Sequence, residues 1–180
     1  GTGSGDITRT SCATPITNAP AAADPFASIP FPATPSGGNQ SDAGNPLNPG
    51  KYAGMTLQNT KTLNPGEYHI ISGTFKVNAN ADITGNGVTF FMYPGTTINI
   101  NGSALMNLTA PTTGVYAGML FYAHSGMTND VTFNGNSSSL LTGALYFPSA
   151  EVTYSGNFSG LGGCTQVVAA AVHWTGSSSI

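Results

Sequence analysis

From residue 51 onward the chain keeps returning to one short pattern: apolar, polar, apolar, then a polar turn rich in Gly and Asn. Val131-Thr132-Phe133-Asn134-Gly135-Asn136 aligns without gaps with Val152-Thr153-Tyr154-Ser155-Gly156-Asn157 and then with Val172-His173-Trp174-Thr175-Gly176-Ser177. Further back, Ile98-Asn99-Ile100-Asn101-Gly102-Ser103 and Phe75-Lys76-Val77-Asn78-Ala79-Asn80 fit the same template, and Met55-Thr56-Leu57-Gln58-Asn59-Thr60 fits it more loosely. The motif starts are residues 55, 75, 98, 131, 152 and 172, giving steps of 20, 23, 33, 21 and 20. Alternation of this kind is a strand with one face buried. The Gly and Asn that follow tolerate the left-handed dihedrals of a tight turn.

Each repeat has room for two further short strands. One series holds Ala104-Leu105-Met106 and Ser139-Leu140-Leu141; the other holds Val88 to Tyr93, Met119 to Tyr122 and Ala144 to Phe147. Three strands and three turns per repeat predict a right-handed parallel β-helix, a solenoid of about six coils of about 20 residues each. One coil cannot bury its apolar face alone, so equivalent residues must stack ~4.8 Å apart. The expected core ladders are Val131, Val152 and Val172, and beside them Phe133, Tyr154 and Trp174. Asn136 and Asn157 should form a turn ladder. The step of 33 predicts an insertion near residues 109–129, a natural first surface to inspect for function.

Residues 1–50 differ in character. They hold eight of the twelve prolines, among them Asp24-Pro25-Phe26, Ile29-Pro30-Phe31-Pro32 and Asn45-Pro46-Leu47-Asn48-Pro49-Gly50. Proline lacks the N–H that a central strand needs, so this stretch reads as an extended arm, with Phe26, Ile29 and Phe31 as anchors onto the body. The predicted organisation is an arm over 1–50 and a β-helix over 51–180. The Gly1-Thr2-Gly3-Ser4-Gly5 start has the look of a trimmed beginning, so the lack of a signal peptide there carries no weight.

Composition narrows the function. Only 6% of residues are charged, hydrophobic residues make up 39%, and the net charge is -3. All four basic residues, Arg9, Lys51, Lys61 and Lys76, lie in the first 76 positions. A phosphate backbone or an anionic membrane needs clustered Lys and Arg, so neither nucleic acid nor membrane surface is an expected partner, and no apolar run is long enough to span a bilayer. The two cysteines, Cys12 and Cys164, are too far apart for a zinc knuckle. A Cys12–Cys164 disulfide is the preferred reading, on the extracellular character of the composition rather than on geometry; two buried thiols are the alternative.

Candidate chemistry is thin. Asp130 and Glu151 precede equivalent valines and should be neighbours, as a solvated pair with splayed side chains, a calcium site through oxygen ligands, or a carboxylate couple with divided pKa values. Thr97 and Ala171 flank them, so extra ligands are few. No other cofactor or metal is expected. His69, His124 and His173 read as surface or strand-edge residues, and no nucleophile elbow, phosphate loop or zinc-protease motif occurs. No catalytic residues are assigned, and the chain is expected not to be an enzyme.

Asn64-Pro65-Gly66-Glu67-Tyr68-His69-Ile70, Gly85 to Phe91, Leu108 to Pro111, Tyr116 to Phe121, Gly135 to Ser138, Leu141 to Pro148 and Cys164-Thr165-Gln166 occur in an order that resembles the C-terminal region of TadG-like proteins of bacterial Flp (tight-adherence) pilus loci. The resemblance spans roughly residues 45–180. It implies a secreted or surface-exposed bacterial protein that serves pilus assembly and adherence, with other pilus or surface proteins as partners. It supplies no catalytic motif.

A structural or adhesive filament protein is therefore the expected function. The final motif runs into Gly176-Ser177-Ser178-Ser179-Ile180 with no evident cap, which suggests head-to-tail self-association through open strand edges. The competing class is a carbohydrate-binding or carbohydrate-active β-helix, with Tyr116 and Tyr122 as candidate sugar-stacking rings. Ice binding is weaker, because only Thr132 and Thr153 repeat at the outward position before His173 intervenes.

Overall fold

The computed structural model describes residues 23–135, 138–156 and 164–175. Among these there is no helix, and so none long and apolar enough to cross a membrane. Among the described residues thirteen strands coil into a parallel β-solenoid of about five turns with three faces.

The first face carries β1 (Gly50–Tyr52), β4 (Gly66–Ile70), β7 (Val88–Met92) and β10 (Met119–Ala123). It continues into the middle of β12 (Leu140–Gly156) and the start of β13 (Thr165–Trp174). The second face stacks β2 (Met55–Leu57), β5 (Thr74–Val77), β8 (Thr97–Ile100) and β11 (Val131–Gly135), then the ends of β12 and β13. The third face holds β3 (Thr60–Leu63), β6 (Asp82–Asn86), β9 (Leu105–Thr109) and the start of β12.

Register on the second face follows the sequence repeat. Met55 pairs with Phe75, Phe75 with Ile98, Ile100 with Phe133, Val131 with Val152, and Val152 with Val172. The turns out of this face use Asn in the left-handed region, with φ of 57° at Asn59 and 59° at Asn80, a conformation that Asn reaches more cheaply than bulkier residues. Six strands on the second face enclose five steps, which is why six motifs give about five turns.

The long step is divided between two corners. Where Gly87 alone joins β6 to β7, residues 110–118 join β9 to β10; where 93–96 join β7 to β8, residues 124–130 join β10 to β11. Between the two enlarged corners β10 is buried along its whole length, and its register against β12 shifts between Met119 and Phe121, so that Leu120 and Phe121 both face the core.

The core is one continuous column of apolar side chains from Leu47 to Tyr154. On the first face its rings stack in coil order: Tyr52 on Tyr68 at 6.0 Å, Tyr68 against Phe90 at 5.4 Å, and Phe90 on Phe121 at 4.9 Å. Residues 40–49 close the column at the first coil. Asp42 Oδ2 accepts the N–H of Thr56 and Asn45 Oδ1 that of Thr62, while Leu47, 1% exposed, bridges to Leu63 as an added strand residue. Lys61 occupies an inward position in register with Ile83, and its ammonium donates to the carbonyls of Asp42, Ala43 and Gly44. A buried ammonium is tolerable only with such partners.

Candidate functional site

The outward side of the first face breaks the expected alternation. Register places His69, Phe91, Tyr122, Tyr146 and Val168 in one outward column. With Met119 and Ala144 these rings form a second apolar cluster, separate from the core. An exposed aromatic strip of this kind would be an association hazard. The arm covers it.

Phe26, Ile29 and Phe31 pack onto the strip. Phe31 meets Phe91, Tyr93, Tyr122 and His124 edge-on at 4.9 to 5.8 Å, and Phe26 meets Tyr146 edge-on at 5.5 Å. Four phenols then donate into the arm: Tyr93 to the Pro32 carbonyl, Tyr116 to that of Pro30, Tyr122 to that of Ile29, and Tyr146 to Asp24 Oδ2. Burial is the first cause that raises the pKa of each of these phenols, so they stay protonated and remain donors. The arm descends the solenoid against the coil order: Pro32 lies at β7, Ile29 at β10, Asp24 at β12, and Ala23 beside Val168 and Val172 of β13. It is a strap along one face, held through its carbonyls and rings. Asp24 to Ile29 fold as turns rather than the expected extended chain, with the Ala27 and Ile29 N–H groups donating to the Asp24 and Phe26 carbonyls, while Pro25, Pro30 and Pro32 bring no N–H of their own.

At the upper end of the strip, His69 Nε2 lies 3.4 Å from Glu67 Oε2 and His69 Nδ1 lies 3.2 Å from the Tyr93 hydroxyl. The ring stacks on Phe91 at 4.8 Å. Burial pushes the His69 pKa down, against the opposing pull of Glu67. This Glu–His–Tyr chain joins the body to the strap, since Tyr93 is also the donor to Pro32.

Elsewhere, Phe133 stacks on Tyr154 at 5.5 Å and Tyr154 on Trp174 at 4.4 Å, the latter two rings within 8° of parallel. Val131 and Val152 are fully buried, whereas Val172 and Trp174 are 37% and 41% exposed. Asp130 and Glu151 are neighbours, but Asp130 Oδ1 accepts the Glu151 N–H while the Glu151 carboxylate turns to His173 at 3.3 Å. Among the described residues no group of three or more His, Cys, Asp or Glu side chains is placed to hold a metal ion. Cys164 is exposed at the lip of a groove shared with Phe26 and Ala110. Cys12 lies outside the described residues, and the Cys12–Cys164 pairing with it; so does the Asn136–Asn157 turn ladder.

The reading of Tyr122 as a sugar-stacking ring is corrected: it is 5% exposed, beneath the strap. Tyr116 also packs against the strip and donates to the arm. A different surface is polar and open. Thr74, Thr97, Asn99, Asn101, Thr132 and Asn134 line a groove of about 420 Å³ on the outer second face, where Thr74 Oγ1 and Thr97 Oγ1 lie 2.8 Å apart.

The strip and the His69 chain escape the repeat-based reading, yet the sequence carries a signal for the strip. Phe90-Phe91, Phe121-Tyr122 and Tyr146-Phe147 are adjacent aromatic pairs, which a strand solvated on one side does not need. Adjacent apolar residues in a strand mean that both faces are covered. Comparisons with protein-family models, with curated proteins and with solved structures return no match.

Proposed function

We propose that this chain is a non-catalytic structural or adhesive element of the bacterial cell surface, secreted or surface-exposed, that works within pili or related surface filaments. The observation that carries the reading is the asymmetry of the solenoid. Residues 40–49 cap the first coil, while at the last described coil the inward ladders continue into Val172 and Trp174, which stay substantially exposed. The capped first coil and the exposed Val172 and Trp174 of the last described coil are different surfaces, so a contact between copies through them is heterologous and can propagate. A stacked core, a strap that runs from β7 to β13 and a surface with few charges suit a rigid rod. The resemblance of residues 45–180 to TadG-like proteins supports placing that rod with pilus components.

The test is assembly and adherence together. Light scattering over a wide concentration range, with electron microscopy, should show end-on assemblies that Trp174→Ser suppresses. Removing the gene from its native bacterium should reduce surface attachment. A strictly monomeric chain and unchanged attachment would overturn the proposal.

A second reading, glycan binding, is favoured by the groove lined by Asn99, Asn101, Thr132 and Asn134, whose uncharged hydroxyls and amides suit a neutral polysaccharide. A glycan array separates the two: saturable binding lost in Asn99→Ala supports it, and a blank array removes it.

A further inference from the structure

The strap and the solenoid meet through an interface that a second copy of the chain reproduces in full. None of the described backbone N–H groups between residues 23 and 39 donates to the solenoid; the first that does is Gln40, to the Lys51 carbonyl. The strap is not a sheet strand. It is held by phenols donating to its carbonyls and to Asp24, and by ring packing of Phe26 and Phe31. Contacts of this kind release without unzipping a ladder, so the strap belongs to the least stable part of the fold.

Between strap and cap lies a joint. Residues 36–40 are exposed, Gly37 has φ of +91°, and nothing stands within 4 Å of where a Cβ would sit on Gly37 or Gly38. The docked strap is thus tethered to its own body by an unpacked Ser36-Gly37-Gly38 segment.

Lifting the strap would uncover Phe91, Met119, Tyr122, Ala144 and Tyr146, each at most 6% exposed when it is down. A strip of that size needs an occupant with aromatic side chains, free carbonyls and an acid opposite Tyr146. We propose that the occupant is the strap of a second copy: the arms exchange between chains, each laying residues 24–32 on the other's aromatic strip. The docked contacts are identical in cis and in trans, so exchange costs only the entropy of association, and the tether sets the balance through effective concentration. This inference is independent of the end-on assembly proposed above, which uses Val172 and Trp174 rather than the strap.

The experiment uses two full chains, both carrying Cys12→Ser and Cys164→Ser, one with Asp24→Cys and the other with Tyr146→Cys, distinguished by mass tags. They are mixed across a concentration series and treated with a flexible bis-maleimide. A mixed product in excess of random collision forms only when one chain's strap lies on the other's strip; a partner with Ser72→Cys in place of Tyr146→Cys sets the collisional background. The mixed product is expected to exceed that background and to rise with concentration. Deleting residues 36–38 penalises docking in cis and should raise the mixed product by about tenfold, while Trp174→Ser should leave it unchanged. The proposal is overturned if the mixed product stays at background at every concentration while one chain bearing both cysteines cross-links internally. Should the deletion variant fail to fold, the full-length pair decides alone.

Discussion

The phenol of Tyr146 donates a 2.7 Å hydrogen bond to Oδ2 of Asp24, a residue 122 positions earlier in the chain. The bond fastens the far end of the strap to the fifth strand of the first face. Because the acceptor is a carboxylate, the bond is stronger than a neutral one, although Asp24 itself remains exposed. Tyr146→Phe and Asp24→Asn should each cost about 1 kcal/mol, and the double variant should cost little more than either, a coupling read in a double-mutant cycle by urea unfolding. Additive losses would mean that the two residues act separately.

The Phe133, Tyr154 and Trp174 column gives a graded prediction. Phe133 is fully buried between coils, and its truncation to Ala removes a ring and leaves a cavity, at about 3–5 kcal/mol. Trp174 stacks on Tyr154 but is 41% exposed, so Trp174→Ala should cost only about 1 kcal/mol, the scale of one aromatic pair. Equal losses at the two positions would show that Trp174 is covered in solution, for example by another copy. Denaturant midpoints at low and high protein concentration separate these outcomes.

Lys61 is a cap residue rather than a surface charge. Its ammonium donates to three carbonyls of residues 42–44, two of them at 3.0 Å. Lys61→Met keeps most of the stem and leaves those carbonyls without their donor, at about 2 kcal/mol. The loss should be local. Amide exchange should accelerate at Thr56 and Thr62, whose N–H groups bond to Asp42 and Asn45 of the same cap, and stay slow at Val152. Uniform acceleration would count against a capping role.

How much of this was legible beforehand follows from where periodicity operates. The second face is the strictest repeat, so its register can be read from residues 55, 75, 98, 131, 152 and 172 alone, and the structure pairs those strands accordingly. The arm's anchors Phe26, Ile29 and Phe31 are also visible, because three large apolar residues in a proline-rich stretch must bury themselves somewhere. Their destination is not visible. It depends on Phe91, Tyr122 and Tyr146 sharing an outward column, and that column appears only once coils of unequal length are stacked. Lys61 likewise looks like an ordinary strand charge until the cap folds over it. Likewise, the carboxylate pair Asp130 and Glu151 follows from the repeat, but side-chain direction does not: one turns to a backbone N–H and the other to His173.

His69 should make the strap sensitive to acid. Its ring sits between Glu67 and the Tyr93 hydroxyl, and burial, the larger influence, holds its pKa below the ordinary value of 6.5 despite the Glu67 carboxylate. In the unfolded chain the same imidazole takes up a proton near pH 6.5. The unfolded state therefore binds more protons than the folded state over the interval from 6.5 down to the lowered folded value, and stability falls as pH falls through that window. Above 6.5 the contribution is fully present. Below the folded pKa the loss levels off, because both states are then protonated. Because Tyr93 both contacts His69 and donates to Pro32, the strap should feel this first. Thermal unfolding between pH 7.5 and 5 should show a declining midpoint, and His69→Gln should flatten the decline. Tryptophan fluorescence follows the distant Trp174, whereas the near-ultraviolet signal of the tyrosine strip should change at higher pH. If His69→Gln leaves the pH profile unaltered, the sensitivity resides in other groups and the Glu67–His69–Tyr93 chain is purely structural.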